Sequence, residues 1–221
     1  MRFSGPRVAP ISGAARQVVV LLHGFGANGD DLIGLAEYFR AILPDALYVA
    51  PDAPNICALN PAGLEWFDLS EANPDRVAKL AAAARPALAT YLEELWIETG
   101  LAAGESVLIG FSQGAMMALE VGLRLAHPVL GIVGFSGALP GAASLASEIR
   151  SRPPVCLLHG SADPVVPYAL GLAAREALQG LGVEVTFHSS PGAGHTITPD
   201  GLDFAMGFLR RLAAAREGPE T

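Results

Sequence analysis

The sequence predicts an α/β fold in which a mostly parallel sheet is covered by helices on both faces. Short apolar segments alternate with longer helix-like segments along the chain. Most of the short segments are continuously apolar, which is typical of strands buried on both faces of a parallel sheet. The 221 residues are 51% hydrophobic and only 16% charged, which favours a compact, heavily buried protein. No repeat or linker interrupts the pattern, so residues 1–221 are predicted to form a single domain.

Six segments are predicted to be strands and five to be helices. The strands are residues 17–22, 46–50, 106–109, 130–135, 155–158 and 183–188. The helices are residues 31–43, 75–99, 113–126, 168–178 and 198–215. Pro86 lies inside the second helix, where it removes a hydrogen bond and crowds the preceding turn, so we expect a kink or a split there. Strands that alternate with helices imply a parallel sheet.

Two connections bear on the shape of any binding site. Residues 51–74 form the longest connection, and its prolines block regular structure. The connection at residues 136–152 has only 17 residues, too few for a cap domain. Residues 217–221 are expected to be a frayed tail.

Composition excludes several classes of partner. The net charge is −8 without a basic stripe, so we expect no binding to nucleic acid or to anionic membranes. No segment approaches the roughly 18 apolar residues of a membrane span, and Met1–Pro10 lacks a secretory signal. Cys57 and Cys156 cannot form a disulfide framework. Two reduced thiols favour a cytoplasmic protein.

The candidate nucleophile is Ser112, in the sequence GFSQG at residues 110–114. This is the G-x-S-x-G pattern, and here an apolar strand runs into it and a helix-like segment follows. A tight strand-to-helix turn pushes the serine side chain outward, and the start of the helix favours negative charge nearby. Ser136, in GFSG at residues 134–137, lacks the second spacing and the helix.

The candidate base is His195. In this topology the nucleophile is followed along the chain by the acid and then by the histidine. His195 lies in a glycine-rich loop after the last predicted strand and before the last helix, where a side chain can reach over the carboxyl edge of the sheet. His188 ends a predicted strand and could point into packing instead.

The candidate acid is Asp163, which follows the predicted strand at residues 155–158. Asp200 and Asp203 are its rivals. Both follow the histidine and lie at or near the start of a helix, where solvated acidic residues are common. The residues therefore predict a triad of Ser112, Asp163 and His195.

Attack of such a serine on a carbonyl carbon also needs N–H donors for the oxyanion that forms. The residue after the nucleophile supplies one, here Gln113. The Gly-rich loop at residues 22–26 is the natural source of the second. It matches neither a P-loop nor a dinucleotide-binding pattern, and no metal-ligand spacing is present, so we expect no cofactor and no metal.

Taken together, these motifs resemble the phospholipase/carboxylesterase family of the α/β-hydrolase fold, which includes acyl-protein thioesterases and bacterial carboxylesterases. The match runs from about residue 15 to residue 215. The segments that carry it are LHGFGANGDD (22–31), PDAP (51–54), EWFDL (65–69), GFSQGAMMAL (110–119), HGSADPVVP (159–167) and GAGHTI (192–197).

The resemblance implies an α/β-hydrolase without a cap domain. It also implies that the backbone N–H groups of Phe25 and Gln113 form the oxyanion hole. Trp66 and Phe67 are implied to line one wall of an acyl pocket, with burial in the core as the alternative.

The expected function is that of a serine carboxylesterase acting on small-molecule esters. Thioesters and lysophospholipids remain open as substrates, and so do the peptidase and amidase activities that share the triad. The alternative from another class is a non-catalytic binding protein on the same scaffold. The sequence leaves open whether the protein is a monomer or a homodimer.

Overall fold

The computed structural model describes residues 3–71 and 73–217 of the protein. The strands are β1 (Arg7–Val8), β2 (Gln17–Leu22), β3 (Ala46–Val49), β4 (Asn55–Ile56), β5 (Leu64–Glu65), β6 (Ser106–Phe111), β7 (Gly131–Phe135), β8 (Val155–Gly160) and β9 (Val185–Ser190). The helices are α1 (Asp30–Ile33), α2 (Ala36–Phe39), α3 (Pro74–Thr99), α4 (Gln113–Gly122), α5 (Ala142–Glu148), α6 (Tyr168–Gly180) and α7 (Pro199–Glu217).

Seven of these strands form one twisted layer in the order β1-β3-β2-β6-β7-β8-β9. Only β1 runs antiparallel to its neighbour, and every other adjacent pair is parallel. The mostly parallel sheet predicted from the sequence is therefore confirmed. Strands β4 and β5 form a separate antiparallel hairpin in the long connection after β3.

The core lies on both faces of the sheet. Alternate residues of β2 point to opposite faces, and all five from Val18 to Leu22 are fully buried. One face packs on α3, α4 and α6, with Leu92, Met117 and Leu178 at its centre. The other face packs on α1, α2 and α7. This double burial explains why the strand segments are continuously apolar.

The structure departs from the predicted elements at several places, and helix α4 ends at Gly122, four residues before its predicted end. The segment predicted as one helix over 31–43 forms two short helices, α1 and α2, that are separated at Gly34. Helix α3 continues through Pro86, so of the predicted kink or split the split does not occur. Leu88, Tyr91 and Leu95 beyond the proline are buried and anchor the helix. Strand β9 begins and ends two residues later than predicted. Of the predicted tail, only Glu217 lies within the described residues, and it ends α7.

Candidate active site

Ser112 occupies a strained turn between β6 and α4. Its φ of 54° and ψ of −116° lie in a region that side chains rarely adopt, at a cost of about 1–3 kcal/mol. The Ser112 N–H donates to Phe135 O at 2.8 Å, which fixes the turn to the neighbouring strand β7. The predicted strand–turn–helix setting of the serine is thus present in the structure.

Glycines on either side of Ser112 allow this turn to close. A Cβ on Gly110 would lie 2.3 Å from the carbonyl carbon of Gly114. A Cβ on Gly114 would lie 1.8 Å from Leu22 O, so the start of α4 rests directly on the end of β2. The two glycines of the motif are required by backbone contact, and the contact brings Ser112 next to the loop that follows β2.

Asp163 and His195 are joined by a hydrogen bond of 2.7 Å between His195 Nδ1 and Asp163 Oδ2. The other carboxylate oxygen of Asp163 accepts the N–H groups of Val165 and Val166 at 2.8 and 2.9 Å. Burial acts to raise the pKa of Asp163, but the His195 and backbone hydrogen bonds outweigh it and hold the pKa below its usual value. Asp163 is therefore arranged to stay ionised and to orient the imidazole.

The loop that carries His195 packs closely against the end of β8. A Cβ on Gly160 would lie 2.4 Å from both Ala193 O and Gly194 O, so only glycine permits this approach. The His195 ring lies 4.8 Å from the ring of Phe111, the residue before the nucleophile. Within the described residues no hydrogen bond joins Ser112 Oγ to His195, and such contacts often shorten only when substrate binds.

The rival acid Asp200 is paired with a different histidine. Its Oδ2 lies 2.7 Å from His188 Nε2 and 2.9 Å from Ser190 Oγ, which donates to it. The hydrogen bond with His188 is the largest of several that lower the pKa of Asp200 far below its usual value. Asp203 is exposed. The sequence did not reveal the His188–Asp200 pair, because the two residues come from different elements.

Two backbone N–H groups next to Ser112 or to the turn that contacts it have no acceptor among the described residues. Gln113 is the first residue of α4, so its N–H has no acceptor inside the helix. Phe25 lies in the turn after β2, and its N–H has no acceptor in the part of the chain that the structure describes. A Cβ on Gly24 would lie 3.5 Å from Ser112 Cβ, so this turn rests against the nucleophile.

Trp66 and Phe67 are buried in the core rather than exposed in a groove. They are 2% and 4% exposed, and both belong to the hydrophobic cluster on the α3 and α4 face of the sheet. The Trp66 indole donates from Nε1 to His23 O at 2.9 Å. Burial was the alternative that the sequence left open, and such side chains leave almost no surface for an acyl chain.

The residues described by the structure contain no cluster of three or more His, Cys, Asp or Glu side chains that could hold a metal ion. Across the same residues, no helix is both long and apolar enough to cross a bilayer.

Several known proteins are similar to this chain in sequence and in fold over nearly its whole length. The family model for phospholipase/carboxylesterase matches residues 4–213. Esterase YpfH of Escherichia coli is 34% identical over 89% of this chain and 83% of its own. Acyl-protein thioesterase 1 of Saccharomyces cerevisiae is 31% identical over 94% of this chain and 98% of its own.

Two solved structures are similar as well. The crystal structure of esterase PE8 superposes with a TM-score of 0.93 and 46% identity, covering 96% of this chain and 100% of that one. Acyl-protein thioesterase 2 of Zea mays superposes with a TM-score of 0.73 and 28% identity, covering 95% and 100%. The matched region contains every site residue described above.

Proposed function

The chain belongs to the phospholipase/carboxylesterase family of α/β-hydrolases and is a carboxylic ester hydrolase, and from this premise we propose that Ser112 forms an acyl-enzyme intermediate with its substrate. The observation that carries the proposal is the hydrogen bond between the Asp163 carboxylate and the His195 imidazole. This bond orients a base at the same edge of the sheet as Ser112. Asp163 holds the proton on His195 Nδ1, which leaves Nε2 free to accept one.

In the first half of the reaction, Ser112 Oγ attacks the ester carbonyl carbon while His195 Nε2 takes the hydroxyl proton. The N–H groups of Phe25 and Gln113 stabilise the negative charge that develops on the carbonyl oxygen. When the carbon–oxygen bond to the alcohol breaks, His195 returns the proton to the leaving alkoxide. In the second half, water attacks the acyl-serine with the same proton transfers.

Replacing Ser112 tests the mechanism directly. Ser112→Ala is expected to lower ester turnover about 10⁴-fold or more with the fold intact, because the covalent route is lost while the site still binds. Ser136→Ala is the matched control, since Ser136 also has a positive φ, of 49°, at the end of a strand but is only 1% exposed.

A fluorophosphonate probe gives a second measurement, and it is expected to label Ser112 alone. Label on Ser136, or full activity in Ser112→Ala, would show that the assignment is wrong.

We propose carboxylic esters of small molecules as the main substrates, with acyl-thioesters and lysophospholipids as the other candidates. Thioesters are included because several relatives are named acyl-protein thioesterases. A panel of para-nitrophenyl esters, acyl-thioesters and lysophosphatidylcholine separates the three classes, with Ser112→Ala as the background for each. The class with the highest kcat/KM identifies the preferred leaving group.

We also infer a cytoplasmic location, since Cys57 and Cys156 are both free and buried thiols.

A further inference from the structure

We propose that Trp66 and His23 are positioning residues that hold the two oxyanion donors, the N–H groups of Phe25 and Gln113, at a fixed separation. This inference rests on the acyl-serine mechanism proposed above. It assigns Trp66 a role through its indole N–H and not through contact with an acyl chain.

His23 fixes the peptide that carries the Phe25 N–H. The Ala53 N–H donates to His23 Nε2 at 3.0 Å, so the proton of a neutral imidazole resides on Nδ1. His23 Nδ1 then donates to Gly24 O at 2.8 Å. In a trans peptide the C=O and N–H groups point in opposite directions. Holding Gly24 O therefore aims the Phe25 N–H away from the His23 ring, and Gly24 itself lies against Ser112.

His23 is suited to this task because it is almost completely buried, at 1% exposure. Burial lowers the pKa of His23, so the imidazole stays neutral and Nε2 continues to accept the Ala53 N–H. The ring has no access to substrate, which distinguishes it from a catalytic histidine.

Trp66 holds the preceding peptide. Its indole Nε1 donates to His23 O at 2.9 Å, and its ring lies 5.4 Å from the imidazole ring. With the His23 and Gly24 carbonyls both bound by side chains, the two peptide planes on either side of Gly24 are fixed. Gly24 itself has no side chain to restrain it, so these bonds replace the restraint that a larger residue would supply.

The same segment also binds the second donor. We call residues 64–67 the strap. The Gln113 side chain is fully buried; its Oε1 accepts the Trp66 N–H at 2.9 Å, and its Nε2 donates to Phe67 O at 2.6 Å. Gln113 therefore contributes its backbone N–H to the hole while its side chain fastens the strap.

The N-terminal end of the strap is paired, through Leu64, with the turn that contains Phe25. Gly26 N–H donates to Leu64 O at 2.9 Å, and Leu64 N–H donates to Ala27 O at 2.8 Å. A Cβ on Gly63 would lie only 2.0 Å from Gly26 O, so the two segments are in direct backbone contact. The strap thus connects the turn after β2 to the start of α4, and one oxyanion donor lies at each of its attachments.

The decisive comparison is Trp66→Phe against Trp96→Phe. Phenylalanine keeps one aromatic ring at each position and removes the indole donor together with part of the side-chain volume, so Trp96→Phe also controls for lost packing. Trp96 Nε1 donates to Ser106 Oγ at 2.7 Å, at the end of β6 opposite the nucleophile, so it is a matched loss of one hydrogen bond.

Trp66→Phe is expected to lower kcat about 10- to 100-fold with KM changed less than about threefold, because a displaced donor weakens transition-state stabilisation alone. Affinity for a trifluoromethyl ketone, whose Ser112 adduct places an oxyanion in the hole, should fall by the same factor. Trp96→Phe should lower thermal stability and leave both quantities within about threefold of wild type. A Trp66→Phe enzyme with kcat and ketone affinity near wild type would overturn the proposal.

Two histidine variants give an independent test if Trp66→Phe does not fold. His23→Asn places an amide near Nδ1 and retains a donor for Gly24 O, whereas His23→Gln places its amide near Nε2 and does not. The asparagine variant should keep at least about tenfold more kcat and ketone affinity than the glutamine variant. Equal losses in the two would contradict the role given to Nδ1.

Ketone binding also distinguishes a failure of this proposal from a failure of the acyl-serine mechanism on which it rests. If Ser112→Ala binds the ketone as tightly as wild type does, no Ser112 adduct forms, and both proposals are wrong. If binding requires Ser112 but Trp66→Phe leaves affinity unchanged, only the positioning role is rejected.

Discussion

At the scale of single residues, the two histidine–aspartate pairs have similar geometry and different surroundings. The Asp163 side chain is fully buried and receives two backbone N–H groups in addition to His195. The Asp200 side chain is half exposed, and its partner His188 stacks on Phe204. Burial and position, and not the length of the hydrogen bond, distinguish the catalytic candidate from the structural pair.

Substituting each aspartate by asparagine tests this distinction. Asp163→Asn is expected to lower kcat at neutral pH by about 10⁴-fold, because an amide can hold the imidazole in the wrong tautomer. Asp200→Asn, the matched control, should remain within about tenfold of wild type. If Asp200→Asn lost most of its kcat while Asp163→Asn remained active, Asp200 and not Asp163 would be the catalytic acid.

The same control has a predicted effect on acid stability. The pKa of Asp200 is lowered in the folded protein, so its stabilising contribution is present above the ordinary carboxyl pKa and is lost as the pH falls. Asp200→Asn should therefore reduce the melting temperature at neutral pH more than at acid pH. A constant difference across the pH range would contradict this linkage.

The pH dependence of activity follows from the role of the imidazole. Since His195 accepts a proton only when neutral, kcat/KM is expected to rise with pH as the essential base loses its proton and then to level off. EDTA should have no effect on it, because the mechanism assigns no step to a metal ion. Inactivation by EDTA, with recovery on adding a divalent cation, would refute the mechanism.

At the scale of elements, the packing of α4 on β2 makes Gly114 the most constrained glycine of the nucleophile turn. Gly114→Ala is expected to abolish activity or folding, because its Cβ would lie 1.8 Å from Leu22 O. Gly207→Ala, within α7, has no atom within 4 Å of the added Cβ and should stabilise the protein by about 0.5–1 kcal/mol. Urea unfolding and ester turnover measure both effects, and an active, stable Gly114→Ala would show that the turn can relax.

A buried ion cluster connects α3, α4 and α5. Glu120, at 1% exposure, bonds Arg124 at 2.8 Å and Arg85 at 3.0 Å, and both arginines also bond Glu148. Burial raises the pKa of Glu120 even though both arginines act to lower it. We therefore expect the cluster to specify how the helices meet more than to stabilise the fold.

Removing one charged member of this cluster should lower the free energy of unfolding more than replacing an oppositely charged pair. Glu120→Ala is expected to lower the free energy of unfolding by about 3–5 kcal/mol, since Arg124 would remain buried without its partner. Glu120→Met combined with Arg124→Met should restore most of that loss. A double variant as unstable as the single one would show that the ions themselves stabilise the fold.

At the scale of the whole molecule, the connections around the site predict an open enzyme without a lid. The connection after β7 contains only the seven-residue helix α5, and the strap is fastened at both ends. Trp66 and Phe67 are too buried to form an acyl wall, so rates should rise only over the few carbons that other surfaces near Ser112 cover, at about 0.8 kcal/mol per buried CH₂, and then level off.

This expectation is checked by kcat/KM for esters of about two to sixteen acyl carbons, below and above their solubility limits. Saturation at short or medium length without a change at the solubility limit is the expected result. A jump in rate when an emulsion forms would contradict the open site.

The sequence was sufficient for the parts of the molecule that depend on local pattern. Continuous apolar segments located the central strands, and G-x-S-x-G with its flanking elements located Ser112. The hydrogen bonds of the strap could not be predicted from the sequence, because Trp66 contacts His23 and Gln113 only after distant segments fold together. Short helices and the two-residue strands were also missed, since so few residues carry no periodicity.

The strand order also governs when the enzyme can first act during its own synthesis. From β6 onward each strand is added at the outer side of the one before it, and β9 forms the edge. The loop after β9 carries His195, so a ribosome-bound chain that has already folded around Ser112 still lacks the base that we propose. On the proposed mechanism, acyl transfer by a half-made polypeptide is not expected until the last strand and the helix after it have folded.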